Sequence, residues 1–139
     1  LLVLLHPTLS KRLLLDFRTQ KTSLGSLVLP FQAVADSGIF TVNNAGIGSG
    51  ATILGGSEDF IRKTFEVNTM AHFWMVREFL PAMIQKNHGH VVTIASMASF
   101  IIHAGNVDYS CTKASALAFH EGLAVELRSR YKAPNVRTT

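Results

Sequence analysis

The sequence has 139 residues, enough for one domain, and an apolar fraction of 47%, which sets it among globular chains and apart from disordered ones. Its net charge of +4 comes from basic residues that form no long run and do not interleave with aromatics, so charge gives no ground for a nucleic-acid-binding function. The single cysteine, Cys111, excludes an intrachain disulfide framework and suits a reducing compartment.

The first residue is leucine rather than methionine, and the expectation is a processed or incomplete chain. Residues 1–40 are the least legible part. Leu1 to Leu5 is an apolar run far short of the about 20 residues that span a bilayer. Lys11, Arg12, Arg18 and Lys21 then punctuate Leu13, Leu14, Leu15 and Phe17. That pattern reads as an ordinary or frayed helix, as a basic segment lying on a membrane surface, as the stump of an anchor or as an aberrant stretch. Thr22 to Gly25 reads as loop, and Leu27 to Leu29 before Pro30 is at best a short strand.

From Ile39 the pattern is regular. Ile39 to Val42 predicts a short buried strand ending at Asn43-Asn44-Ala45-Gly46. Gly46-Ile47-Gly48-Ser49-Gly50 follows, but it lacks the spacing of a dinucleotide loop and no helix starts directly after it. Ser57 predicts a helix N-cap, with Glu58 and Asp59 in the first turn and a helix running toward Lys86. Ile61, Phe65, His72, Val76, Phe79 and Met83 mark its buried stripe. Asn68, a polar residue, falls on that stripe, and Pro81 predicts a kink or a division. Asn87 to Gly89 reads as a turn. Val91 to Ile94 predicts a strand buried on both faces, ending at Ala95-Ser96. A loop containing Gly105 leads to a last helix over about Val107 to Arg130, with Ala116, Phe119, Leu123 and Leu127 on its apolar face. Val136 to Thr139 predicts the start of another strand. Strands alternating with helices imply an α/β fold with a parallel sheet and crossover helices.

The chemistry gathers at one edge of that sheet. Ligands of such sheets sit beyond the carboxyl ends of the strands. Asn43 to Gly46 follows one strand, Ser96 follows the next, and Tyr109 and Lys113 open the following helix. Tyr109 and Lys113 are spaced i and i+4, so one helical face carries both, and an ammonium beside a phenol favours the phenolate. That pair is an acid–base device. Cys111 between them reads as a small packing residue. His88 and His90 have no third ligand at metal-binding spacing and read as turn histidines, so no metal site is expected. His72 and His120 have no nameable partner; His103, in the loop before Tyr109, is placed to line a substrate side.

Asn43-Asn44-Ala45-Gly46, Asn68, Ser96 and Tyr109-x-x-x-Lys113, with thirteen residues from Ser96 to Tyr109, resemble the central motifs of the short-chain dehydrogenase/reductase family. Ala71-His72-Phe73-Trp74, Phe79-Leu80-Pro81-Ala82-Met83 and His88 to Thr93 are similar to its branch of retinol and 17-beta-hydroxysteroid dehydrogenases. The resemblance covers residues 41–139 and implies an incomplete doubly wound, Rossmann-like parallel sheet, the central and C-terminal part of the family's domain. It implies hydride transfer between NAD or NADP and a small lipophilic alcohol or carbonyl, such as a retinoid or steroid. By the same resemblance Tyr109 is the general acid/base, and Lys113 assists it and binds the nicotinamide ribose. Ser96 holds the substrate oxygen, and Asn68 binds a water linking Lys113 to solvent. Asn44, Ala45 and Gly46 line the adenosine side. A homodimer through the two long helices is implied for the complete domain, in the cytoplasm or on endoplasmic reticulum or lipid-droplet membranes, with peripheral membrane association through Leu1 to Leu15 as a further expectation. The family's fingerprint Thr-Gly-x-x-x-Gly-x-Gly is absent from the sequence. The competing expectation is therefore an inactive fragment that acts through helix-mediated association.

Overall fold

The structure is a computed structural model; it describes residues 39–139 and, as backbone only, two short strands near the start of the chain. Expectations for the rest of residues 1–38, including the strand at Leu27 to Leu29, lie outside the described residues. The elements are β1 (Leu2–Leu5), β2 (Leu13–Leu14), β3 (Ile39–Asn43), α1 (Glu58–Phe65), α2 (Ala71–Lys86), β4 (Gly89–Thr93), α3 (Val107–Ser129) and β5 (Val136–Thr138). One sheet has the order β2-β1-β3-β4-β5. β3, β4 and β5 are parallel, with Val42 opposite Val92 and Gly89 opposite Val136. α1 and α2 together cross from β3 to β4, and α3 crosses from β4 to β5, so the expected α/β order stands.

β1 pairs antiparallel with β3 and with β2. The helix expected near the first leucines is therefore replaced, over Leu2–Leu5, by a strand. The physical reason is the outer edge of β3, whose unpaired N–H and C=O groups are a template for any extended apolar segment.

α2 and α3 pack side by side on the sheet face that carries Val91 and Val136. Val76, Leu80, Met83, Val91, Leu123, Leu127 and Ala133 form the core between them. Gly89 is where α2 turns back into the sheet: a Cβ there would stand 2.5 Å from Met83 Cγ, and Met83 is fully buried. Asn87, in the left-handed region at φ 47°, caps α2 and makes the turn. The opposite face carries Phe40, Val42, His90 and Val92, with Phe40 and His90 edge to face at 5.1 Å. β4 is consequently buried on one face and half-buried on the other, not buried on both, since among the described residues helices cover one face of the sheet.

The long helix is divided, but not at Pro81. Pro81 lies inside α2 on its exposed side, where the freed carbonyl reaches water. The division is a π-helical turn over Glu66–Met70. Its wider winding rotates the buried face, so Phe65 is left 37% exposed while Thr64, Asn68 and Thr69 turn inward. No helix among the described residues is long and apolar enough to cross a membrane.

Candidate active site

The carboxyl ends of β3 and β4 and the first turns of α3 meet at one edge of the sheet. Asn68, wholly buried in the π-helical turn, organises it. Its Oδ1 accepts from Ile47 N at 2.8 Å, and its Nδ2 donates to Ile47 O at 2.7 Å and to Thr112 Oγ1 at 2.9 Å. The carboxamide thus holds both backbone groups of one residue in the loop after β3 and one side chain of α3. This explains a polar residue on an apolar stripe: its hydrogen-bonding capacity is met by protein groups. π-helical turns recur at functional sites for this reason, since they aim a side chain that a regular helix would misdirect.

Thr112 passes the connection on. Its hydroxyl accepts from Asn68 and donates to Tyr109 O at 2.7 Å, the back-bond of a threonine to the preceding turn. Lys113, 4% exposed, sends its amine to the end of β4, where Nζ donates to Ile94 O at 2.7 Å. Burial pushes the Lys113 pKa below the ordinary lysine value. Nζ stands 5.8 Å from the centroid of the Tyr109 ring, within cation–π range. Gly46 closes the group: a Cβ at that position would lie 3.7 Å from both Asn68 Oδ1 and Lys113 Nζ. Ser96 begins the 3-10 turn Met97–Ser99, and its Oγ accepts from Ala98 N at 3.1 Å. An accepting hydroxyl keeps its own proton to donate, so Ser96 O–H remains available to an oxygen at this edge. Asn44 is exposed and Ala45 half-buried where the chain leaves β3.

The structure therefore brings Gly46, Asn68, Tyr109 and Lys113 together, with Ser96 at the end of the strand that Lys113 touches. Asn44 and Ala45 stand at the rim. The side chain of Asn68 is committed to Ile47 and Thr112. Cys111 is exposed and free. Among the described residues no group of three or more His, Cys, Asp or Glu is placed to hold a metal.

Sequence reasoning missed Thr112, Gly48 and the site's wall at His72. Gly48 lies against Tyr109: a Cβ there would come within 3.2 Å of Tyr109 Cδ2 and 3.3 Å of its Cβ. The signal was the second glycine of a loop dismissed because it is no phosphate loop. Gly48→Val is expected to push the tyrosine ring and lower turnover by about ten- to a hundredfold, with a stability loss of only about 1 kcal/mol. Steady-state kinetics beside urea unfolding checks this; unchanged kinetics would show that the contact does not position Tyr109.

His72 is 2% exposed, with Nδ1 unpaired and its ring 5.6 Å from that of Phe119. Burial first, and then the charge of Lys113, lower its pKa from 6.5 to about 4. The unfolded chain takes up this proton near pH 6.5 and the folded chain only near 4, so stability is full above 6.5 and declines as pH falls toward 4. The decline amounts to about 3 kcal/mol at most. Urea midpoints across that window should fall for the native chain and stay flatter for His72→Leu; parallel curves would assign the acid sensitivity elsewhere.

Comparison with known proteins matches this architecture. The family model described as short chain dehydrogenase covers residues 38–137. "Dehydrogenase RED3" of Cochliobolus heterostrophus is 57% identical over 98 residues, which are 70% of this chain and 50% of that protein. Human "Retinol dehydrogenase 10" is 43% identical over 98 residues, 70% of this chain and 28% of that protein. The chain therefore spans half, or less, of these relatives' length. A metagenomic short-chain oxidoreductase crystallised with NADP superposes with a TM-score of 0.67 at 28% identity, covering 78% of this chain and 49% of that one.

Proposed function

This chain belongs to the short-chain dehydrogenase family, and we propose that residues 41–139 carry that family's catalytic half: an NAD- or NADP-dependent oxidoreductase interconverting an alcohol and a carbonyl. The observation that carries the reading is the Tyr109–Lys113 pair. The ammonium is held by Ile94 O at 2.7 Å and stands 5.8 Å from the phenol ring, at the sheet edge where Ser96 keeps a free proton donor.

The residues fit the nicotinamide-ribose end of such a cofactor. Ile94 O takes one of the three protons on Lys113 Nζ, which leaves two donors for a ribose diol. Asn44, Ala45 and Gly46 are the proposed adenosine-side residues. When bound, the cofactor supplies or accepts the hydride. Tyr109 Oη donates the proton to the carbonyl oxygen in reduction and removes it from the alcohol in oxidation. Lys113 stabilises the phenolate left behind by Coulomb attraction in a partly desolvated setting. Ser96 O–H holds the substrate oxygen and steadies its developing charge. Asn68 keeps the loop and α3 in register, so that Tyr109 and Lys113 stay one turn apart on a fixed base.

A lipophilic substrate is supported by the apolar character of the two loops at this sheet edge. Ile53, Leu54, Met97, Phe100, Ile101 and Ile102 are each more than half exposed on the two loops beyond β3 and β4. Residues 44–56 and 94–106 contain no Asp, Glu, Lys or Arg. A relative named for retinol points the same way. The proposed location is the cytoplasm or the surface of endoplasmic reticulum or lipid-droplet membranes, into which substrates of this kind partition. Subunit association is the second reading, favoured by Phe73 and Trp74, 43% and 54% exposed beside a groove of about 730 Å³ between α2 and α3.

Titration of the purified chain with NADH and NADPH, followed by nucleotide fluorescence, together with turnover of a retinoid and steroid panel, tests the first reading. Binding and turnover are expected. Absence of both at millimolar cofactor removes it and leaves association, which sedimentation of Trp74→Glu against the native chain examines.

A further inference from the structure

Four side chains beneath α2 carry buried polar atoms with no hydrogen-bond partner among the described residues: Thr41 Oγ1, Thr93 Oγ1, His72 Nδ1 and both Oδ1 and Nδ2 of Asn43. Thr41 and Asn43 are each 1% exposed. The four are not scattered. Thr41 and Asn43 alternate with Phe40 and Val42 along β3, so both point to the helical side of the sheet. The parallel ladder sets Asn43 opposite Thr93 and Thr41 opposite Val91, and Val91 belongs to the core under α2 and α3.

α2 brings His72 to the same place. Met83, near the end of that helix, lies against Gly89 at the start of β4. His72 is eleven residues back along the helix, about 16 Å at the helical rise. Thr93 is four residues forward along β4, about 13 Å at the strand rise. The helix runs against the strands, so His72 reaches the level of Thr93 and Asn43. It shares the buried stripe of Val76 and Met83, which faces the core.

The chemistry of the set selects its ligand. Asn43 offers donors and an acceptor, each threonine hydroxyl offers both, and the imidazole nitrogen does one or the other by tautomer. None of the four brings a charge, because burial and then the charge of Lys113 hold His72 neutral. An ion would find no counter-charge there. A neutral molecule that both donates and accepts, and is small enough to lie between a sheet and a helix, is water. Left dry, these five atoms would together cost an amount comparable with the whole stability of a domain.

We propose that the space between the carboxyl ends of β3 and β4 and the first turn of α2 binds water as part of the fold, about two molecules at the usual three hydrogen bonds each. These waters join the end of β3 to α2, immediately before the loop that carries Gly46 and Gly48. The place is distinct from Asn68, whose carboxamide is committed to Ile47 and Thr112.

A crystal structure of the full chain at a resolution that shows ordered solvent, with urea unfolding of Thr41→Val and Thr93→Val, tests the site. Valine keeps the shape of threonine and removes its polar atom. Ordered water within hydrogen-bond distance of at least two of the four side chains is expected. A lower urea midpoint is expected for each variant, since valine leaves a bound water short of a partner. No ordered water at these atoms, the four side chains paired with one another, or a midpoint unchanged or raised in either variant overturns the hydration site.

Discussion

Replacing Tyr109 with phenylalanine should lower turnover by about a hundred- to ten-thousandfold, the usual worth of a positioned general acid/base. The substitution removes one oxygen and little else. No described residue is hydrogen-bonded to the Tyr109 hydroxyl; the residue's bond within the site runs through its backbone carbonyl, to Thr112 Oγ1. The ring keeps its seat against Gly48 and its place beside Lys113 Nζ. Folding stability should therefore move by less than about 0.5 kcal/mol, as for a surface substitution. Cofactor affinity should fall by less than about tenfold, the equivalent of one hydrogen bond. A large loss of turnover with both other quantities nearly constant isolates proton transfer. Retained turnover would remove Tyr109 from the acid–base role.

Asn68→Ala should be the most damaging single change to the fold near the site, at about 2–5 kcal/mol. The alanine abandons three hydrogen bonds at once, one buried and two partly buried, and leaves Ile47 N and O and Thr112 Oγ1 to find other partners. Domains of this kind have about 5–15 kcal/mol in all, so the loss is a large share. Asn68→Asp should do nearly as badly. A carboxylate accepts from Ile47 N but donates to neither Ile47 O nor Thr112 Oγ1, and the Thr112 proton is already given to Tyr109 O. Urea unfolding followed by circular dichroism measures both variants. A loss below about 1 kcal/mol for Asn68→Ala would show that the clamp is dispensable.

The two predictions concern residues that differed in how readable they were. Tyr109 and Lys113 were legible because a helical i, i+4 spacing states their geometry outright, and α3 carries them as the pattern implied. Asn68 was legible as an anomaly, a polar residue on an apolar stripe, but its partners were not. They come from a loop twenty-one residues away and from α3 forty-four residues on, which no local pattern encodes.

The π-helical turn at Glu66–Met70 escaped for a related reason. Val67, Asn68 and Thr69 are only mildly poor helix formers, which marks no π-helical turn, and the long-range bonds of Asn68 accompany the wider winding. Pro81 misled in the opposite direction, because a proline on the solvent face costs a helix less than one facing the core. The parallel block β3-β4-β5 followed from the alternation of short apolar runs with helical stripes, whereas the antiparallel pairing of β1 with β3 did not. Pairing partners of an apolar run are chosen by whichever edge is open, and the run itself does not name that edge.

The central claim, that this sheet edge moves a hydride with Tyr109 as proton donor, is tested most directly by isotope transfer. The purified chain is incubated with a reduced nicotinamide cofactor deuterated at its hydride-donating carbon and with retinaldehyde or a ketosteroid, and the product alcohol is read by mass spectrometry. The account predicts one deuterium on the carbinol carbon from the native chain and a strongly reduced yield of the same labelled product from Tyr109→Phe. Unlabelled product, or equal labelled yield from the two proteins, would contradict it.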